Sequence, residues 1–94
     1  SIEANSTQVL FTNQSDNDED KFLPILFELR AEGINSEIYP DQVKWKRQMN
    51  FVTRKNIKFV VSSSQDGDMF LKNMETEEKT AFSTTKELVS LINK

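Results

Sequence analysis

Two short apolar runs constrain this chain most: QVLFT at Gln8 to Thr12, and IKFVV at Ile57 to Val61. The first is made of β-formers without polar alternation, the pattern of a strand buried on both faces. The second reads as a strand fed by the helical segment before it. A doubly buried strand needs cover above and below, so the remaining segments must supply helices to two sides of one sheet.

The chain in order fills in that scheme. Ser1 to Thr7 is polar and aperiodic and reads as a linker tail, leaving residues 8–94 as one domain. Asn13 to Asp20, NQSDNDED, is a loop entering a helix; its acids suit a first turn, and Ser15, Asp16, Asn17 or Asp18 can each serve as N-cap. The helix runs to about Glu32, with Phe22, Ile25, Leu26 and Leu29 as its apolar face, widened by Leu23 and Phe27. Pro24 is acceptable there only within a first turn, and Gly33 is the left-handed stop. Asn35 to Pro40 alternates like a strand, and a second helix precedes IKFVV. Asp66-Gly67 is the clearest hairpin signal, with MFLKNM returning antiparallel and Thr80 to Phe82 as a short edge. Thr84 or Thr85 caps a last helix, and Glu87 completes a capping box with Thr84.

The order β-α-β-α-β-β-(β)-α contains two βαβ crossovers, which demand a parallel core with right-handed connections. The expected fold is a three-layer α/β/α sandwich with an antiparallel hairpin at one edge of its mixed sheet. Ligands of such sheets gather at the C-terminal ends of the strands. Here that rim carries Asn13 to Asn17, Pro40 to Lys44 and Ser62 to Gln65.

Composition removes whole classes of chemistry. Ninety-four residues with seven Phe can bury a core, and two Gly and two Pro argue against a disordered linker. No cysteine and no histidine are present, which excludes thiolate chemistry and takes away the commonest general base and metal ligand. Ser62, Ser63 and Ser64 therefore have no base to activate them and read as small donors. The DNDED run invites a phospho-acceptor or magnesium reading, but that needs a further aspartate after the third strand, where Ser62 stands; an acidic helix start accounts for it better. No metal site is expected. No apolar run approaches a membrane span and no signal peptide is visible, so a cytoplasmic setting is the expectation. The opening on Ser1 points to a piece of a longer protein.

Charge is strongly segregated. Gln42 to Lys58 holds Lys44, Lys46, Arg47, Arg54, Lys55 and Lys58 and no acid over 17 residues, leaving six basic and fifteen acidic residues, a net −9, in the rest of the chain. At 100° per residue Trp45, Met49 and Val52 share one helix face and read as core. Lys44, Arg47, Arg54 and Lys55 fall opposite, with Phe51 among them. Such a stripe is either a solvated face or a phosphate-binding one, and the absence of acids favours contact with an anion. Phe51 could stack on an unpaired base, although cover by a neighbouring loop is the commoner fate.

LRAEGINSEIYP, then KWKRQMNFVTRKNIKFVV, then LKNMETEEK resemble, in order and spacing, the C-terminal anticodon-binding domain of class II aminoacyl-tRNA synthetases, most of all that of the histidine enzymes. The matching positions include Leu29, Arg30, Gly33, Ile34, Glu37, Tyr39, Lys44, Lys46, Gln48, Ile57, Phe59, Val60, Val61, Lys72, Asn73, Met74 and Thr76. The resemblance implies a five-stranded mixed sheet with three helices. Its implied partners are a tRNA anticodon loop, that for histidine, and a catalytic domain of the same polypeptide, with the fragment monomeric. ATP and magnesium would belong to that parent enzyme; the fragment would need no cofactor and catalyse nothing alone. Lys44, Arg47, Arg54 and Lys55 would contact phosphates, and Asn13, Gln65, Lys72 and Asn73 would approach bases. After the third strand the family usually has a glycine and then a glutamate; here SSSQDG stands, with Gln65 as the available substitute. That departure motivates an alternative, a paralogue serving protein interaction or regulation.

Overall fold

The computed structural model describes residues 7–94, so the expected tail, apart from Thr7, lies outside the described residues. The elements are β1 (Val9–Phe11), α1 (Asp16–Ala31), β2 (Ser36–Ile38), α2 (Trp45–Arg54), β3 (Phe59–Ser63), β4 (Met69–Asn73), β5 (Lys79–Phe82) and α3 (Thr85–Ile92). The sheet order is β2-β1-β3-β4-β5. β1 pairs in parallel with both β2 and β3, while β3–β4 and β4–β5 are antiparallel. The five-stranded mixed sheet and the three helices are thus those expected.

Alternation along the central strands divides the interior in two. Val9, Phe11, Phe59 and Val61 point into a large core with Phe22, Leu26 and Leu29 of α1 and Leu88 of α3. Leu10 and Val60 point the other way, into a smaller cluster with Val52 of α2 and Ile57. β1 is fully buried from Val9 to Phe11, as its unalternating sequence requires.

The helix ends obey local rules. Ser15 is the N-cap of α1 by position, but its side chain makes no capping bond. Asp18 takes over: buried, it accepts the Gln14 amide at 2.8 Å and the Ser63 hydroxyl at 3.0 Å, tying the helix start to the end of β3. Gly33, at φ +83°, ends α1, with the Ile34 amide reaching back to the Leu29 carbonyl at 3.0 Å. The Asp66-Gly67 hairpin forms as expected, and Lys21 pins it by donating to the Gly67 carbonyl at 3.2 Å.

Two expectations about α1 need correction. Pro24 lies at the ninth position of the helix, not in its first turn. It is exposed, as is Asp20, the residue four positions earlier whose carbonyl loses its partner, so water can satisfy that carbonyl while the buried face continues uninterrupted. Phe27 does not widen the core face. It is 59% exposed, with the Arg30 guanidinium 5.9 Å from its ring.

At α3 the capping box is complete. Thr84 Oγ1 accepts the Glu87 amide at 3.1 Å, and Glu87 Oε1 accepts the Ser83 and Thr84 amides at 2.9 and 3.1 Å. The Ser83 amide first, and the Thr84 amide next, hold the Glu87 carboxyl below its ordinary range. A folded pKa below the unfolded one contributes stability above the unfolded value, lost as pH falls through the folded value. Thermal melts of the parent and Glu87→Gln should therefore differ at neutral pH and converge as the medium becomes acidic; a difference constant with pH contradicts the cap. Pro24→Ala restores one helix bond and should stabilise the domain by roughly 1–3 kcal/mol in urea unfolding.

Candidate nucleic-acid interface

The basic helix is held in place by a glutamine. Gln48 is completely buried, and its side chain closes three hydrogen bonds. Its Oε1 accepts the Asn13 amide at 2.9 Å, and its Nε2 donates to the Asn13 carbonyl at 2.9 Å and the Val43 carbonyl at 2.8 Å. The amide group thus replaces a peptide partner for the chain leaving β1 and fastens the first turns of α2 to the rim of the sheet. One turn on, Val52 enters the smaller core, and Met49 and Phe51 pack at its margin.

Trp45 departs from expectation. Helical periodicity puts it on the core face, yet it is 39% exposed at the first position of α2. Trp45 belongs to neither core cluster, and the buried inward position in the first turns of α2 goes to Gln48. Phe51 is half-buried at the margin of the smaller core: Tyr39 meets it edge-on at 5.4 Å, and the Arg54 guanidinium lies 5.8 Å from its ring.

The remaining face of α2 is cationic. Lys44, Lys46, Arg47, Arg54 and Lys55 are exposed, and among the described residues the one ion pair, Lys58 with Glu75 at 3.3 Å, involves none of them. α2 has no acid in its first turn and a lysine as N-cap without a capping bond. Cations at a helix N-terminus oppose the helix dipole by about 0.3–1 kcal/mol each. α1 and α3 carry acids there, as helices ordinarily do. α2 therefore keeps a locally unfavourable arrangement that an anion would relieve.

Lys44 and Arg47 lie at the rim, on an open cleft of about 820 Å³ that also takes in Gln14, Gln42, Trp45, Lys46 and Asn50. Arg54 and Lys55 lie at the far end of the helix, so the four expected phosphate contacts form a line along α2. Gln65 is exposed in the β3–β4 turn, on the same rim. Lys72 pairs with Val60, hence faces the α2 side of the sheet. There it neighbours Lys79, whose Nζ stands 4.7 Å from the Phe70 ring.

Two expected base contacts are placed elsewhere. Asn13 is 2% exposed, its Nδ2 donating to the Tyr39 carbonyl at 3.0 Å; its Oδ1 has no hydrogen-bond partner among the described residues. It ties loops together and offers no edge to a base. Asn73 pairs with Phe59, so it points to the α1/α3 side, opposite Lys72. Its Oδ1 accepts the Glu75 and Thr76 amides at 2.9 and 3.2 Å, closing the β4–β5 turn. Both asparagine side chains are spent on backbone groups, Asn13 across two loops and Asn73 within a turn.

No family model matches the chain. The histidine–tRNA ligase of Phocaeicola vulgatus is 38% identical over 92 residues, covering 94% of this chain and 20% of that protein. That of Bacteroides fragilis is 38% identical over 94 residues, covering 96% and 20%. The chain thus spans about a fifth of the length of these relatives. Among solved structures, histidyl-tRNA synthetase from Nostoc sp. PCC 7120 superposes with a TM-score of 0.83 at 21% identity, over 94% of this chain and 22% of that one. The RNA binding domain of threonyl-tRNA synthetase from Cryptosporidium parvum does so at 0.80 and 11% identity, over 94% and 23%. The fold is that of the anticodon-binding domains of class II aminoacyl-tRNA synthetases. Within that class the chain is a relative of the C-terminal domain of histidine–tRNA ligases.

The Gln48 clamp has a direct test. Gln48→Met keeps the volume but strands the Asn13 amide and two carbonyls, each worth about 1–3 kcal/mol when buried without a partner. Urea unfolding should show a loss of roughly 3 kcal/mol or more; a loss below about 1 kcal/mol would show that packing alone holds α2.

Proposed function

We propose that this chain is a tRNA-binding module that recognises the anticodon stem-loop for a histidine–tRNA ligase. The observation that carries the reading is the exposed face of α2: five cations without an ion pair among the described residues, on a fold shared with an RNA binding domain and in a sequence related to histidine–tRNA ligases. Lys44, Arg47, Arg54 and Lys55 follow the phosphate backbone along the helix. Gln65 and Lys72 approach the unstacked bases of the loop, whose edges are open to hydrogen bonding.

On this reading the partner is the histidine tRNA, and the chemistry belongs to a catalytic domain of the same polypeptide, where ATP and magnesium are used. The domain needs no cofactor of its own, is monomeric when isolated, and works in the cytoplasm. No helix among the described residues is long and apolar enough to cross a membrane. Because the rest of the chain is acidic, affinity in isolation is modest and strongly salt-dependent, the remainder being supplied by linkage to the parent enzyme.

Charge reversal tests the assignment. In the parent enzyme, Lys44→Glu, Arg47→Glu and Arg54→Glu together should raise KM for tRNA by at least tenfold while leaving amino-acid activation unchanged. They should also flatten the salt dependence of stem-loop binding by roughly 0.7 per phosphate contact removed. Charging with unchanged KM and an unchanged salt slope would remove α2 from the RNA interface.

A further inference from the structure

We infer that the cleft at the start of α2 is a subsite for a single unpaired nucleotide of the bound RNA, with its base stacked on Trp45. The inference rests on the RNA-binding reading above but names a place and a chemistry which that reading does not contain. Phe51, the other aromatic residue of α2, is half-buried at the margin of the smaller core, in contact with Tyr39 and Arg54. Trp45 has neither kind of cover. It and Phe27 are the large hydrophobic residues left exposed among those described, and it belongs to neither core cluster.

The cleft supplies what a nucleotide requires. Trp45 offers an aromatic face, and base–aromatic stacking tolerates any base because every base has a π-face. Lys44, Lys46 and Arg47 flank it on the same cleft, without an ion pair among the described residues and able to hold the adjoining phosphates. The side-chain amides of Gln14 and Asn50 line the cleft without hydrogen bonds to the described residues and are free to meet a base edge. About 820 Å³ accommodates one nucleotide with room for its neighbouring phosphate. A paired base has no free face to give, so the subsite selects single-stranded RNA over duplex.

Trp45 is the one tryptophan of the chain, so the domain's intrinsic fluorescence reports the subsite directly. The full 94-residue domain is titrated at low salt with a histidine anticodon stem-loop, with the same stem-loop carrying abasic loop positions in turn, and with an RNA duplex of equal phosphate number. Affinity is measured independently with labelled RNA. The stem-loop should quench Trp45, one abasic position should abolish most of the quenching, and the duplex should bind without it. Trp45→Ala should weaken stem-loop binding roughly tenfold to a hundredfold, the range that base–aromatic stacking supplies, with duplex binding unchanged. Trp45→Phe should restore most of the affinity, which separates stacking from misfolding. Stem-loop binding of normal salt dependence with no quenching, and with Trp45→Ala at full affinity, overturns the subsite while leaving the RNA-binding reading intact. No binding of any RNA overturns both.

Discussion

The Gln48 side chain is the interaction on which the surface of this domain depends. α2 buries two residues, Gln48 and Val52, so apolar contact through Val52 alone holds little of it. Its first turns are fixed by the Gln48 amide, which pairs with both backbone groups of Asn13 and with the Val43 carbonyl. With the first turns thus fastened, Val52 can complete a small core while five cations face outward. The buried clamp and the exposed charge are two sides of one helix.

The two cores share the work unequally. The larger, between the sheet and helices α1 and α3, contains Phe11, Phe22, Phe59, Phe82 and Leu88 and supplies most of the apolar burial. The smaller, beneath α2, contains four buried residues and leans on Tyr39, Met49, Phe51 and Met74 at its margin. That division suits a binding domain, since one layer carries stability while the other can give its surface to polar and aromatic groups. Asp18 joins the layers' ends by holding Gln14 and Ser63 at the rim from which α2 starts. The sheet beyond α2, with Phe70, Lys72 and Lys79, extends the same cationic side.

Much of this was legible in the residues. The unalternating VLF of β1, the Asp66-Gly67 turn, the Gly33 stop and the Thr84–Glu87 box each speak through local physics, and their order leaves few topologies open. The segregation of charge also read through, because helical periodicity alone separates Lys44, Arg47, Arg54 and Lys55 from Val52. What did not read through depended on the tertiary setting. Trp45 looks like core on a helical projection, but it is the first residue of α2, and the buried place in the first turns is taken by Gln48. Gln48 looks like surface until the stranded backbone groups of Asn13 need a partner; its one signal in the sequence was a polar residue on the inward face between Trp45 and Val52. Asn13 and Asn73 have the chemistry of base readers, but backbone groups use their side chains first: Asn13 donates to the distant Tyr39 carbonyl, and Asn73 accepts amides of its own turn. Pro24 breaks a helix rule locally at a place where solvent makes the breach affordable.

If α2 and its rim meet the anticodon loop, amide chemical-shift mapping during titration with a histidine anticodon stem-loop, beside a scrambled-loop control, should show it. Shifts should concentrate on Lys44 to Lys55, Gln65 and Lys72, be larger with the cognate loop, and leave α3 and the α1 surface around Phe27 unmoved. Shifts centred on α1 and α3, or none at low salt, would contradict it.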